Sequence, residues 1–148
     1  MHITQASINN LEILGELFDS YRQFYQQASD IDAGRAFLRE RIENQESVIF
    51  LATDDKGEGL GVTQLYPTFS SVSLQKRWIL NDLFVAEKAR KLGVANALMQ
   101  AAEDCAKASG AGGLSLSTAI DNHQAQAVYE KRGWHRVTAF YNYNKSLV

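Results

Sequence analysis

Residues 78–85 (WILNDLFV) are an apolar run broken by only two polar side chains, Asn81 and Asp82. A charged turn follows at 86–89, and then the stretch 90–95 (RKLGVA), which has the form R-x-x-G-x-A. The run has the length and bulk of a buried strand, and the stretch after it opens a helical pattern. The first amides of a helix have no partner within the helix, and its dipole adds partial positive charge there. Gly93 lets an anion come close to the backbone, and Arg90 and Lys91 bring full charges to the same place. The junction therefore predicts a central strand that feeds an anion cradle, chemistry that suits a pyrophosphate.

The rest of the chain is read around that junction. Residues 3–7 suit a short first strand. Leu11, Leu14, Leu17, Phe18, Tyr21 and Tyr25 recur with a 3.6-residue period, which predicts a first helix. A second helix is expected over 33–44, with Phe37, Leu38 and Ile42 inward. Residues 48–53 and 59–66 read as a hairpin around the turn at 54–57, with Pro67 closing the second strand and 69–73 a loop. The long strand spans 74–85, and the helix after it runs from Arg90 to about Ser109. A short strand at 114–118 leads to a helix capped by Asp121 or Asn122 and ended by Gly133. Residues 134–147 supply the final strand or strands. The order β-α-α-β-β-β-α-β-α-β makes an α/β chain with a mixed sheet and helices on both faces, one domain over 1–148.

Composition narrows the function. The 148 residues are 45% hydrophobic and 22% charged, as expected of a soluble globular domain. No segment approaches transmembrane length, and the first residues lack a basic stretch followed by an apolar one, so a cytoplasmic protein is expected. A net charge of −2 argues against nucleic acid as a partner. His2, His123 and His135 lie far apart in sequence, so no metal is expected. Cys105 sits on an apolar helical face and reads as a core residue. Residues 1–47 carry eight acidic and four basic side chains, against nine and eleven in 48–148. That split suits a cationic ligand near the first part and an anionic one on the second.

With these elements in place, residues 48–148 resemble the GNAT superfamily of acyl-CoA-dependent N-acyltransferases. The likeness rests on Arg90, Gly93 and Ala95 after the long strand. It rests also on Asn122 near the start of a late helix, with Tyr129 seven residues on, just before Gly133-Trp134. Residues 80–85 and 128–133 are most similar to the spermidine/spermine and Hpa-type amine acetyltransferases. The resemblance implies acetyl-CoA as cosubstrate, a small primary amine as acceptor, and an assembly that is often a dimer. It implies that Phe84 and Val85 hold the pantetheine arm, and that Arg90, Lys91, Leu92, Gly93, Val94 and Ala95 cradle the pyrophosphate. Asn122 and Tyr129 also belong to the cofactor side, and Tyr129 would protonate the departing CoA thiolate. A phenol with an ordinary pKa of about 10 is still a proton donor at neutral pH.

Asn81 and Asp82 stand out because adjacent strand residues face opposite sides of a sheet, so one of them meets the substrate cleft unless a bulge intervenes. A buried carboxylate is costly without partners, which marks Asp82 as a candidate to accept the amine's proton or hold the amine. Tyr21, Phe24 and Tyr25 could line an acceptor pocket or simply fill core, and Asp30 and Asp32 could attract a cation. Two other readings stay open at this point: a protein lysine or N-terminal acetyltransferase, and a non-catalytic acyl-CoA-binding module.

Overall fold

A computed structural model describes every residue, Met1–Val148. It divides into two units, Met1–Leu116 and Ser117–Val148. The first holds strands β1 (His2–Gln5), β2 (Val48–Thr53), β3 (Gly59–Ser70), β4 (Gln75–Val85) and β5 (Gly113–Ser115), with helices α1 (Leu11–Phe24), α2 (Ile31–Glu43) and α3 (Val94–Ala108).

Strand β2 sets the layers, because successive side chains of a strand point to opposite faces. Ile49 and Leu51 pack in a cluster with Leu14 and Leu17 of α1 and Leu38 of α2. Ala52 and Phe50 pack instead with Val94 and Leu98 of α3. The sheet thus carries α1 and α2 on one face and α3 on the other. Leu14 and Leu98 are fully buried, and truncating either to Ala would cost about 2–5 kcal/mol. The strands run in sequence order, antiparallel from β1 to β4, with β5 parallel to β4. This is the expected mixed, mostly antiparallel α/β sheet.

Several boundaries differ from the sequence expectation. The first strand ends at Gln5, because Ser7 caps a 3-10 turn at Ile8–Asn10 and accepts from the Asn9 amide. Pro67 does not close β3; it pairs with Trp78 inside the strand, which runs on to Ser70. The ladder to β2 stops at Leu65, so beyond it β3 has one free edge, where the missing N–H of a proline forfeits no ladder bond. The β3–β4 turn is accordingly tighter than the expected loop, with Leu74 in the left-handed region at φ 56°. Helix α3 starts at Val94 rather than Arg90, after a short 3-10 turn at Glu87–Ala89. The 54–57 hairpin turn forms as expected, with the Asp54 carboxylate accepting from the Lys56 and Glu58 amides.

The Ser117–Val148 unit holds one helix, α4 (His123–Lys131). The Asn122 side chain caps it by accepting from the Ala125 amide at 3.2 Å, and Gly133 follows in the left-handed region at φ 90°. The strands expected over 134–147 are not formed; these residues have no regular secondary structure. A strand is stable only with a ladder partner, and none exists within this unit.

Candidate active site

The candidate site grows from a bulge in the β3–β4 ladder. Leu65 pairs with Leu80, but Gln64 pairs with Asp82, so Asn81 is the extra residue. A bulge re-aims side chains that strict alternation would send to opposite faces. Here Asn81 stays exposed while Asp82 is 7% exposed. Each oxygen of the buried carboxylate has a partner: Gln64 Nε2 donates to Oδ2 at 2.8 Å and Asn81 Nδ2 to Oδ1 at 3.1 Å. Gln64 is itself oriented by Ser47, whose Oγ donates to Gln64 Oε1 at 2.8 Å. Thr63 Oγ1 satisfies the Asp82 backbone carbonyl at 2.8 Å.

The charge of this carboxylate acts on two phenols. Burial, reinforced by the negative charge of Asp82 and a hydrogen bond to it, pushes the Tyr21 phenol well above its ordinary range. Burial first and the Asp82 charge second push Tyr66 up to about 12. The Tyr21 ring also packs edge-on against Phe84 at 6.0 Å and against Tyr25 at 5.2 Å. Tyr25 and Phe24 remain more than half exposed. Tyr21, Asn81 and Asp82 therefore come together around one carboxylate, with Tyr25 on the outer side of Tyr21. Asp30 is not part of this group: it caps α2 by accepting from the Ala33 amide. Gln64, Ser47 and Tyr66 complete the group without having been read from the sequence.

The other half of the site lies along the outer edge of β4. Strand β5 pairs with it only from Arg77 to Ile79, so from Leu80 to Val85 that edge has no strand neighbour. Phe84 and Val85 thus end the strand with no strand paired on that side. Beyond them the chain turns sharply, with Lys91 at φ 64° and Gly93 at φ 81°. Nothing lies within 4 Å of the place where a Cβ on Gly93 would stand. The first backbone bond of α3 runs from the Ala97 amide to the Gly93 carbonyl, so the amides of Val94 and Ala95 precede the helical ladder. Val94 is buried and offers only its backbone, whereas the Leu92 side chain is 67% exposed. Arg90 is extended rather than helical, and its Nε donates to the Val85 carbonyl at 3.3 Å. It therefore buttresses the strand end as well as charging the turn.

In the second unit, Asn122 and Tyr129 are two helical turns apart and so lie on one side of α4. The Tyr129 ring packs on Trp134 at 6.3 Å, and the Trp134 amide donates to the Tyr129 carbonyl. Asn122 has a structural duty as the helix cap. Burial pushes the Cys105 thiol up, which disfavours its thiolate form.

A sheet whose inner strand loses its neighbour just before a left-handed turn opens a helix is the layout of the GNAT acetyltransferases. The chain belongs to the Acetyltransferase (GNAT) family, whose pattern matches residues 12–134. It is 47% identical over 143 residues, 97% of this chain and 95% of the other, to the uncharacterized N-acetyltransferase YhfO of Bacillus subtilis (strain 168). A probable acetyltransferase of Haemophilus influenzae (strain ATCC 51907 / DSM 11121 / KW20 / Rd) is 38% identical over 104 residues, 70% of this chain and 71% of its own. The crystal structure of a probable acetyltransferase, 44% identical, superposes with a TM-score of 0.94 and covers 100% of this chain and 99% of its own. The protein is a GNAT-type acetyltransferase. No helix in it is long and apolar enough to cross a membrane.

Proposed function

We propose that the protein moves an acetyl group from acetyl-CoA to the primary amine of a small molecule, such as a polyamine, an amino acid or a related metabolite. The transfer is direct, within a ternary complex. The observation that carries this reading is the buried Asp82 carboxylate, bonded by Gln64 and Tyr21 and acting by its charge on Tyr66, on the strand whose other edge has no strand neighbour beyond Ile79. An anion in so enclosed a place selects a compact cation, and the acidic bias of residues 1–47 favours its approach. The rings of Tyr21 and Tyr25 suit the alkyl part of such an amine and add attraction for its charge.

The turn from Arg90 to Ala95 suits the CoA pyrophosphate: it offers helix-start amides, two cationic side chains and, at Gly93, no Cβ. The open edge at Phe84 and Val85 suits the pantetheine arm, which can add to β4 as a strand would. Bound acetyl-CoA supplies an acetyl thioester. Asp82 holds the ammonium and takes its proton, directly or through water. The freed nitrogen attacks the thioester carbonyl, and the C–S bond breaks as Tyr129 gives its phenolic proton to the thiolate. The nitrogen's second proton passes through water to the Tyr129 phenolate, and Asp82 returns its proton to solvent. The products are the N-acetyl amide and CoA thiol. Positioning supplies most of the acceleration, so no strong nucleophile is needed.

The test is CoA thiol release from acetyl-CoA with a panel of polyamines, amino acids and lysine-containing or free N-terminal peptides. Higher kcat/KM with a small amine than with any peptide is expected. Turnover with peptides alone would overturn the acceptor class, and tight CoA binding with no turnover would indicate a non-catalytic binding module.

A further inference from the structure

With the reacting nitrogen at Asp82, the end of α1 decides what the rest of the acceptor meets. Tyr21 and Tyr25 are four residues apart and so neighbours on the helix surface, with ring centres 5.2 Å apart at an angle of 71°. Phe24, the last helical residue, stands 5.3 Å from Tyr25 at 83°. Successive rings set nearly square to one another make a stepped corner of faces and edges. The corner begins at Tyr21, which bonds to Asp82, and opens outward, since Phe24 and Tyr25 are 55% and 52% exposed. The loop after α1 is pinned: Arg22 Nη1 donates to the Ala28 carbonyl at 3.2 Å, and Ser29 Oγ and the Asp30 amide donate to Asp19 on α1. A surface fixed in advance loses little entropy when a ligand settles on it.

The charges of this arm are already committed. Of the eight acids in residues 1–47, six have partners within it: Glu12 with Arg35, Glu43 with Arg39, Glu40 and Glu46 with Arg41, Asp19 with Ser29, and Asp30 as the cap of α2. Glu16 precedes Tyr21 by five residues and so lies on another side of α1. Asp32 stands in the first turn of α2, where the helix dipole holds it. Arg41, the cation whose charge reaches Tyr66, is shared between two carboxylates and stacked 4.4 Å over the Phe37 ring. A second ammonium on the acceptor therefore meets no uncommitted carboxylate at the corner, and a carboxylate meets no uncommitted cation.

We propose that the preferred acceptor is a primary monoamine carrying an aromatic ring, with its ammonium at Asp82 and its ring in the corner of Tyr25 and Phe24. This rests on the small-amine reading above and narrows it. The acidic bias of residues 1–47 steers any cation from a distance, but contact selects the tail. A ring in the corner removes apolar area from water on both partners and meets faces and edges at the angles that aromatic pairs favour. An ammonium over the same exposed rings keeps most of its water and gains less.

Thiol release from acetyl-CoA tests this with butylamine, putrescine and phenethylamine as acceptors, beside a lysine-containing peptide. The kcat/KM for phenethylamine should exceed that for butylamine by about tenfold or more, and putrescine should do no better than butylamine. Phe24→Ala should lower the ratio of phenethylamine to butylamine by about fivefold or more, and Phe24→Tyr, which keeps a ring, should retain it. The readout is a ratio between two acceptors on one preparation, so any loss of folded protein cancels. Putrescine or butylamine used as well as phenethylamine, or a ratio indifferent to Phe24→Ala, would overturn the proposal and leave the small-amine reading standing. Turnover with the peptide and with none of the three amines would overturn that reading and this proposal with it.

Discussion

Gln64 Nε2 donates to Asp82 Oδ2 at 2.8 Å across a β-bulge, with both side chains buried. Ser47 occupies the far end of the same amide, so Gln64 can present only its nitrogen to the carboxylate. Gln64 is thus a positioning residue that acts through Asp82. Replacing Gln64 with Leu removes a hydrogen bond to a charged acceptor, worth about 1.5–3 kcal/mol. We expect kcat/KM for the amine to fall tenfold or more, with the KM for acetyl-CoA unchanged. Ser47→Ala should give a smaller loss of the same kind. Steady-state kinetics with each substrate varied in turn checks this, and an equal effect on both substrates would point to general disruption instead.

Counting back from the β3–β4 turn explains why Gln64 was not found from the sequence. Ser70 pairs with Gln75, and that register carries Gln64 opposite Asn81. The one-residue bulge brings Asp82 opposite instead, and a bulge leaves no clear local signature. The signal that was available is a pair of adjacent polar residues, Thr63-Gln64, in one apolar strand facing Asn81-Asp82 in the next. Helix α1 and strand β2 were legible because their periods are local. The start of α3 was misplaced by four residues because Gly93, in the left-handed region, serves as its N-cap and pushes Arg90 out into the turn. Residues 136–144 alternate polar and apolar side chains except at Phe140, but alternation does not say where a ladder partner is to be found.

Tyr21 and Tyr66 should be slow to ionise in alkali. Burial and the Asp82 charge raise both, Tyr66 to about 12 and Tyr21 further. In the unfolded chain both phenols ionise near pH 10. Their folded values lie higher, so their contribution to stability is present below pH 10 and is lost as pH rises toward 12 and beyond. Absorbance at 295 nm should show the other tyrosines ionising first. Asp82→Asn should lower the pH at which Tyr66 ionises; no change would mean that the carboxylate does not act on it.

Asp19 ties the end of α1 to the following loop. Its carboxylate accepts from Ser29 Oγ at 2.6 Å, the Asp30 amide at 2.8 Å and Gln23 Nε2 at 2.9 Å. The Ser29 hydroxyl and then the Asp30 amide hold it below its ordinary value. Its stabilising effect is therefore present above about pH 3.9 and is lost as pH falls further. Asp19→Asn should lower Tm at pH 7, and the gap from wild type should narrow at pH 3. A gap of equal size at both would show that ionisation of Asp19 does not contribute.

Tyr129→Phe removes the proposed acid and leaves the aromatic contact with Trp134 in place. The rate of the chemical step should drop tenfold or more, about 1.4 kcal/mol or above, with acetyl-CoA affinity little changed. Pre-steady-state thiol release separates chemistry from product release. An unchanged chemical rate would remove Tyr129 from the mechanism.

The central claim is a division of labour along one strand: β4 holds the amine at Asp82 and directs the thioester to the open edge that ends in the Gly93 turn. The most direct measurement compares Asp82→Asn with Gly93→Asp, using calorimetric binding of acetyl-CoA and kcat/KM for the amine. Asp82→Asn should bind acetyl-CoA as wild type does while kcat/KM for the amine falls at least tenfold. Gly93→Asp should weaken acetyl-CoA binding at least tenfold, with the folded structure verified by circular dichroism. If both variants weakened the same ligand, or if acetyl-CoA bound Gly93→Asp normally, the division would be wrong.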